Sequence, residues 1–138
     1  MYLLDTNHCS RIIFGETNLI QQLELHREVG VATSVIVRGE LLYMAAKSQQ
    51  TAANIQQVKA FLNTIDLYPI NLSISDIYGD LKGKLVNVFG PKEKAERFGD
   101  NDLWIAATAI HYNLTVVSTD NDFRRIQQVY SFVLESWV

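Results

Sequence analysis

Residues 100–120 read DNDLWIAATAIHYNLTVVSTD, and this stretch decides the fold. The acid Asp100 is predicted to cap a helix. The inward face of this helix is apolar, with Leu103, Ala106 and Ile110 at helical spacing. Residues 115–118 form a β-branched run typical of a buried strand, and Asp120 follows it. Because a helix here leads directly into a buried strand, the stretch indicates an α/β fold.

The rest of the chain repeats this alternation of short apolar runs and longer helical patterns. Strands are predicted at residues 2–4, 31–33, 67–70 and 132–134. Helices are predicted at residues 17–28, at residues 35–47 after the cap Ser34, around residues 55–65, and after Ser73 or Ser75 as far as Val88. This order predicts a single-domain open parallel β-sheet sandwiched by α-helices, which is a three-layer α/β/α architecture.

Length and composition are typical of one globular domain, which we expect to span residues 1–138. Hydrophobic residues make up 48% of the chain and charged residues 20%, which excludes a disordered composition. No apolar run is long enough to span a bilayer, and Asp5 interrupts the N-terminus too early for a signal peptide. The single cysteine, Cys9, excludes an internal disulfide framework and a cysteine zinc cage. A reducing cytoplasm is therefore the expected location.

Four carboxylates come from four separated segments of the chain. Asp5 and Asp120 follow predicted strands, and Asp102 lies in the first turn of a predicted helix. Glu40 lies within a helix among apolar neighbours, where a carboxylate needs a partner or a metal. Each acid alone has a plainer explanation, as a helix cap or a partner of the helix dipole. In parallel sheets, however, functional crevices lie beyond the carboxyl ends of the strands.

If these acids converge, they require a cation, because their mutual repulsion disfavours ionisation of all four. A hard divalent ion such as Mg²⁺ takes oxygen ligands and keeps several waters. Such a site suits hydrolysis of a phosphodiester by an activated water. The histidines, His8, His26 and His111, show no spacing typical of a zinc site.

Four short motifs, in order along nearly the whole chain, resemble those of the PIN-domain nucleases, specifically the VapC-type toxins of bacterial toxin–antitoxin pairs. They are LLDTN at residues 3–7, GEL at 39–41, NDLWIAA at 101–107 and STDNDF at 118–123. The third motif is the most specific of the four, and their common order is more specific than any one of them.

The resemblance implies that Asp5, Glu40, Asp102 and Asp120 form one acidic catalytic quartet. By the same resemblance, Asp5 and Asp102 are the principal metal ligands. Glu40 and Asp120 either ligate the metal, directly or through water, or orient the nucleophilic water.

Further residues are implied to support this quartet. Thr6 and Ser118 are expected to support the site by hydrogen bonding. Asp122 competes with Asp120 for the fourth acidic position, and Asp120 is preferred because it lies nearer the strand end. The charged segment 90–99 offers cations for phosphates at Lys92, Lys94 and Arg97, although a solvated loop explains it equally well.

The activity implied by the resemblance is that of a Mg²⁺- or Mn²⁺-dependent endoribonuclease, the toxin of a toxin–antitoxin pair. Its partners would be RNA, a small cognate antitoxin and a second copy of the chain in a homodimer, with no membrane. The net charge of −3 provides no global basic field for RNA, so positive charge would have to be local. Two alternatives stay open: a catalytically silent PIN-fold protein-interaction module, and a phosphatase or acid-sugar enzyme on a related α/β scaffold.

Overall fold

The computed structural model describes residues 1–90 and 99–138, so most of the charged segment 90–99, with its three cations, lies outside the described residues. Within these ranges the strands are β1 (Tyr2–Leu4), β2 (Val31–Ser34), β3 (Asp66–Tyr68), β4 (Thr115–Val117) and β5 (Leu134–Glu135). The helices are α1 (Thr6–Ile13), α2 (Thr17–His26), α3 (Val35–Ala46), α4 (Thr51–Leu62), α5 (Leu72–Phe89), α6 (Asp100–Tyr112) and α7 (Asn121–Gln127).

The five strands form one parallel sheet in the order β3-β2-β1-β4-β5. Right-handed crossovers from β1 through β2 to β3 place α1–α4 on one face of this sheet. The return to β4 and β5 places α5–α7 on the other face, and the contacts of α3 with α4 and of α5 with α6 agree with this division. The predicted α/β class and its three layers are therefore confirmed.

Strand β1 is the central strand, and its apolar run explains its position. Leu3 and Leu4 are completely buried, as a strand covered by helices on both faces requires. Leu3 is paired with Ala32 of β2 on one side and with Val116 of β4 on the other. The chain leaves β1 towards β2 and later returns to β4, so the strand order reverses beside β1. A crevice is expected beyond the carboxyl ends of β1 and β4 at such a point.

Two predicted helix caps are wrong. Gly99 caps α6, whereas Asp100 is the first residue of the helix and accepts hydrogen bonds from Lys82 and Tyr78. The cap of α5 is neither Ser73 nor Ser75, because Asn71 Oδ1 accepts the Ile74 backbone N–H at 2.9 Å. By contrast, the predicted cap Ser34 is confirmed, since its hydroxyl accepts the Val37 N–H.

The edge strands lie at shifted positions. The strand β3 begins at residue 66 and ends at 68, not 67–70, and β5 covers residues 134–135 instead of 132–134. The short helices α1 and α7 were not among the predicted elements, and α4 ends before residue 65. The remaining strands and helices lie within about two residues of the prediction, the usual scatter at element ends. Within the described residues, no helix combines the length and apolarity that a membrane crossing needs.

Candidate active site

Asp5 lies at the junction between β1 and α1. Its extended backbone ends the strand, and its Oδ1 accepts the His8 backbone N–H at 2.8 Å as the N-cap of the helix. This bond satisfies one of the amide donors that the first turn leaves free. The residue is 5% exposed, so its carboxylate is almost fully withdrawn from bulk water. The local sequence, an apolar strand followed by an acid, thus fixes the carboxylate at the crevice.

The end of β4 provides the second set of groups. The Ser118 hydroxyl donates to Asp5 Oδ2 at 2.5 Å and accepts the Asp120 backbone N–H at 2.9 Å. Asp120 in turn caps α7, because its Oδ1 accepts the Asp122 backbone N–H at 2.9 Å. Ser118 therefore ties the carboxylate of β1 to the loop that carries Asp120. The role of Ser118 in supporting the site, which the sequence resemblance implied, stays a prediction.

Glu40 reaches the same region from α3. The Thr6 hydroxyl donates to Glu40 Oε1 at 2.5 Å and so joins the first turn of α1 to the middle of α3. Glu40 is half-buried rather than enclosed, and it lines the cavity. Among residues 1–90 and 99–138, no group donates a hydrogen bond to its other oxygen, Oε2. Thr6 thus orients one oxygen of this carboxylate.

Asp102 lies in the first turn of α6 and has the most perturbed acid–base behaviour of the group. Burial is the main cause that raises its pKa from 3.8 to about 8, and the carboxylates of Asp120, Asp122 and Asp5 raise it further. Without a cation, this carboxyl therefore keeps its proton at neutral pH. The mutual repulsion expected for convergent acids is present in this geometry.

The four predicted acids line one open cavity of about 650 Å³. Its other lining residues are Thr6, Asn7, Ser10, Arg11, Met44 and Thr119. Oxygen atoms of Asp102, Asp120 and Asp122 lie within 4.8 Å of one another, close enough to share an ion. Asp122 lies at the edge of this group, where its carboxylate accepts the Gly99 N–H at 3.4 Å and lies 3.7 Å from Arg125.

The donor set fits a hard divalent cation. Carboxylate and hydroxyl oxygens are the ligands that Mg²⁺ and Mn²⁺ take, and the described acid cluster contains no histidine or cysteine. Cys9 is completely buried, and this burial raises the pKa of its thiol well above the ordinary range. The thiol is therefore neither a nucleophile nor a metal ligand at this site.

Two residues of the site were not among the predicted site residues. His8 is fully buried, and its ring contacts Asp5 at 3.0 Å. The sequence signal for His8 is its position three residues after Asp5, the acid that caps the helix. Side chains at this position can reach back to the cap. Arg11 lines the cavity and is paired with Glu16 through two hydrogen bonds of 2.5 and 2.6 Å.

An apolar groove of about 360 Å³ adjoins the acidic cavity and shares Ser10 and Met44 with it. Helices α1, α3 and α4 form its walls, with Ile13, Leu41 and Val58 among the lining residues. Phe14 at its edge is 80% exposed, which is unusual for a large apolar side chain.

The family model of the PIN domain matches residues 2–129 of the chain. Ribonuclease VapC2 of Rickettsia felis is 30% identical over 139 residues, covering 99% of this chain and 98% of that protein. The tRNA(fMet)-specific endonuclease VapC of Shigella flexneri is 24% identical, and the match covers 99% of this chain and 97% of that protein. Among solved structures, a chain in the crystal structure of VapBC2 from Rickettsia felis bound to a promoter DNA fragment is 28% identical to this chain and superposes on it with a TM-score of 0.86. The match covers 99% of this chain and 98% of that chain.

Proposed function

Because this chain belongs to the PIN-domain family, with VapC-type relatives along its whole length, we propose that it is a metal-dependent endoribonuclease, the toxin of a toxin–antitoxin pair. The observation that carries the proposal is the convergence of four carboxylates, from four separate segments, on one open cavity. The relatives named ribonuclease and tRNA-specific endonuclease support RNA as the substrate.

We propose Asp5 and Asp102 as the principal ligands of a Mg²⁺ or Mn²⁺ ion. When bound, this ion supplies Lewis-acid polarisation of the phosphate and a lower pKa for its water. Burial and neighbouring carboxylates that raise the pKa of Asp102 support this assignment, because a cation relieves both effects.

The other carboxylates handle the attacking water in this proposal. Glu40 is held by Thr6 through Oε1, so Oε2 is available to accept a hydrogen bond from water. Asp120 contributes a further oxygen from its cap position, and Asp122 either shares that role or supports it. Water attacks phosphorus, its proton leaves to a carboxylate or solvent, and the leaving oxygen of the RNA is protonated. No covalent intermediate with the protein is needed.

Cleavage of an RNA panel by the purified protein with Mg²⁺ or Mn²⁺ tests the proposal. Asp5→Asn and Asp102→Asn should each lower cleavage more than about 100-fold, since loss of a group that only orients a ligand costs about 10–100-fold. They should also relieve growth inhibition. Asp76→Asn removes an exposed carboxylate of α5 outside the cavity and serves as the matched control.

Fully active Asp5→Asn and Asp102→Asn proteins would contradict the proposed chemistry. Absence of both metal binding and RNA cleavage in the wild-type protein would instead support the catalytically silent interaction module. Sequencing of RNA ends after induced expression would identify the cut site.

The adjoining apolar groove supports a small protein antitoxin as the partner. An antitoxin segment lying in this groove would come next to the acidic cavity through Ser10 and Met44. A basic side chain of that segment would then enter the cavity and compete with the metal.

We also propose that the chain forms a homodimer and acts in the cytoplasm, where RNA substrates are present. Light scattering of the purified protein tests the dimer.

Co-expression with the product of a short neighbouring reading frame tests the antitoxin surface. Phe14→Asp should abolish co-purification and leave RNA cleavage by the free protein unchanged. Leu72→Asp is the matched control, because Leu72 is 85% exposed and lies outside the groove at the start of α5. Equal co-purification of the two variants would place the antitoxin on another surface.

A further inference from the structure

His8 is a completely buried histidine to which the proposed chemistry gives no role. It is the third residue of α1, and both of its ring nitrogens have partners. Nδ1 lies 3.0 Å from Asp5 Oδ1, and Nε2 accepts the backbone N–H of Trp137 at 3.4 Å. The ring therefore connects the candidate metal ligand Asp5 to the C-terminal segment.

These partners fix the protonation of the ring. Since the Trp137 N–H points at Nε2, this nitrogen carries no proton and acts as an acceptor. The proton of the neutral ring is then on Nδ1, which donates it to Asp5 Oδ1.

The hydrogen bonds of Asp5 divide unequally between its two oxygens. Oδ1 accepts two N–H donors, the His8 backbone at 2.8 Å and the His8 ring at 3.0 Å. Within the described part of the chain, Oδ2 accepts one donor, the Ser118 hydroxyl at 2.5 Å. A carboxylate offers about four lone-pair positions, so the position that remains belongs to Oδ2.

We propose that His8 is a positioning residue that occupies Oδ1 of Asp5 and thereby directs Oδ2, with its one open lone pair, to the metal ion. This inference rests on the proposed function, because it specifies how the chain holds one ligand of that site. Partners that orient a ligand in this way typically change metal affinity about 10–100-fold.

The C-terminal segment keeps the histidine in this orientation. The Trp137 indole is 7% exposed, stacks on the His26 ring at 4.5 Å and contacts the Tyr2 ring at 5.7 Å. This packing holds the Trp137 N–H against Nε2. The candidate metal ligand Asp5 is thus connected, through one imidazole, to the aromatic cluster of Tyr2, His26 and Trp137.

The test compares His8→Asn with His8→Leu, using Mn²⁺ itself as the probe in calorimetric titrations. The Asn amide places an N–H donor near the position of Nδ1, whereas Leu fills similar volume without a donor. Both variants lose the acceptor for Trp137, so they differ chiefly in the donor to Asp5. We expect His8→Leu to weaken Mn²⁺ binding by about tenfold or more, and His8→Asn to stay within about threefold of wild type.

Equal Mn²⁺ affinity of wild type and folded His8→Leu would overturn the inference, as would an Asn variant as weak as the Leu variant. If His8→Leu fails to fold, the imidazole ¹⁵N–¹H correlation of the wild-type protein decides instead. A proton on Nδ1 supports the inference, and a proton on Nε2 overturns it. A wild-type protein that binds no Mn²⁺ at all would refute the proposed function itself, which is a different outcome.

Discussion

At the scale of single residues, Asp102 gives the most direct support for the proposed cation site. Its carboxyl is withdrawn from water and lies near three other carboxylates, which together raise its pKa to about 8. Ionisation of Asp102 therefore costs free energy in the metal-free protein. This cost comes from where the residue lies and not from its being an aspartate. A surface aspartate such as Asp76 lacks this environment.

Asp102→Asn is expected to stabilise the metal-free protein at alkaline pH. In the wild type, Asp102 ionises near 3.8 when unfolded and near 8 when folded, so the folded state holds the extra proton between these values. The contribution of the Asp102 carboxyl to the free energy of unfolding is fully present below pH 3.8 and is lost as the pH rises through 8. In thermal unfolding with EDTA at pH 8.5, the Tm of Asp102→Asn should therefore exceed the Tm of the wild type by several degrees. For a domain of this size, each kcal/mol in the free energy of unfolding shifts Tm by about 4 °C.

The difference between these melting temperatures should disappear as the pH falls below 3.8, where the wild-type carboxyl becomes protonated in both the folded and the unfolded state. Asp76→Asn controls for removal of one acid from an acidic chain and should leave the pH dependence unchanged. A wild-type protein at least as stable as Asp102→Asn at pH 8.5, without metal, would argue against the raised pKa.

At the scale of elements, the junctions between strands and helices position the acids. Asp5 and Asp120 each end an extended segment and cap the next helix, so their carboxylates are fixed by local hydrogen bonds. These junctions are predictable because an apolar run followed by an acid is a local signal. The sequence predicted β1, β2, α3 and β4 for the same reason, since buried runs and the cap Ser34 specify them locally.

Elements with weak local signals were predicted less well. Strand β5 has two residues, Leu134 and Glu135, at the sheet edge, whereas the apolar run at residues 132–134 predicted it two residues too early. The pattern predicted Ser73 or Ser75 as the cap of helix α5, but both residues lie in the first turns of the helix itself. In the structure Asn71 caps the helix, and its amide also contacts His111 and Tyr112 of α6. Tertiary packing therefore decided a boundary that propensity left open.

Asn71→Ala should lower the free energy of unfolding by about 1 kcal/mol, because it removes the acceptor for the Ile74 N–H. The expected loss in Tm is about 4 °C for a domain of this size. Ser73→Ala is the matched control, since Ser73 is exposed in the first turn and does not cap the helix. A larger loss for Ser73→Ala than for Asn71→Ala would show that the helix begins later.

At the scale of the whole molecule, the sheet order assembles the site. Ser118 and Asp5 are 113 residues apart, and they meet because β4 pairs with β1 in register from Tyr2 and Thr115 onwards. Local patterns do not specify that pairing, so convergence of the acids was predicted from strand-end geometry and from the family resemblance. The buried contact of His8 with Trp137 is equally non-local and was not predicted.

Metal binding should reverse the order of stability that Asp102→Asn produces. An ion that binds only the folded state stabilises it by about 2.7 kcal/mol at a concentration of 100 times its Kd, which corresponds to a Tm increase of about 10 °C. Wild type should gain this increase on addition of Mg²⁺ or Mn²⁺ at pH 8.5, because the ion offsets the half-buried negative charge that Asp102 carries at this pH. Asp102→Asn should gain much less, since it lacks a principal ligand.

The variant is thus expected to be more stable than the wild type without metal, and the wild type more stable than the variant with metal. Equal increases in the two proteins would show that the ion binds elsewhere, whereas a reversal would link the acidic cavity to the stability of the entire fold.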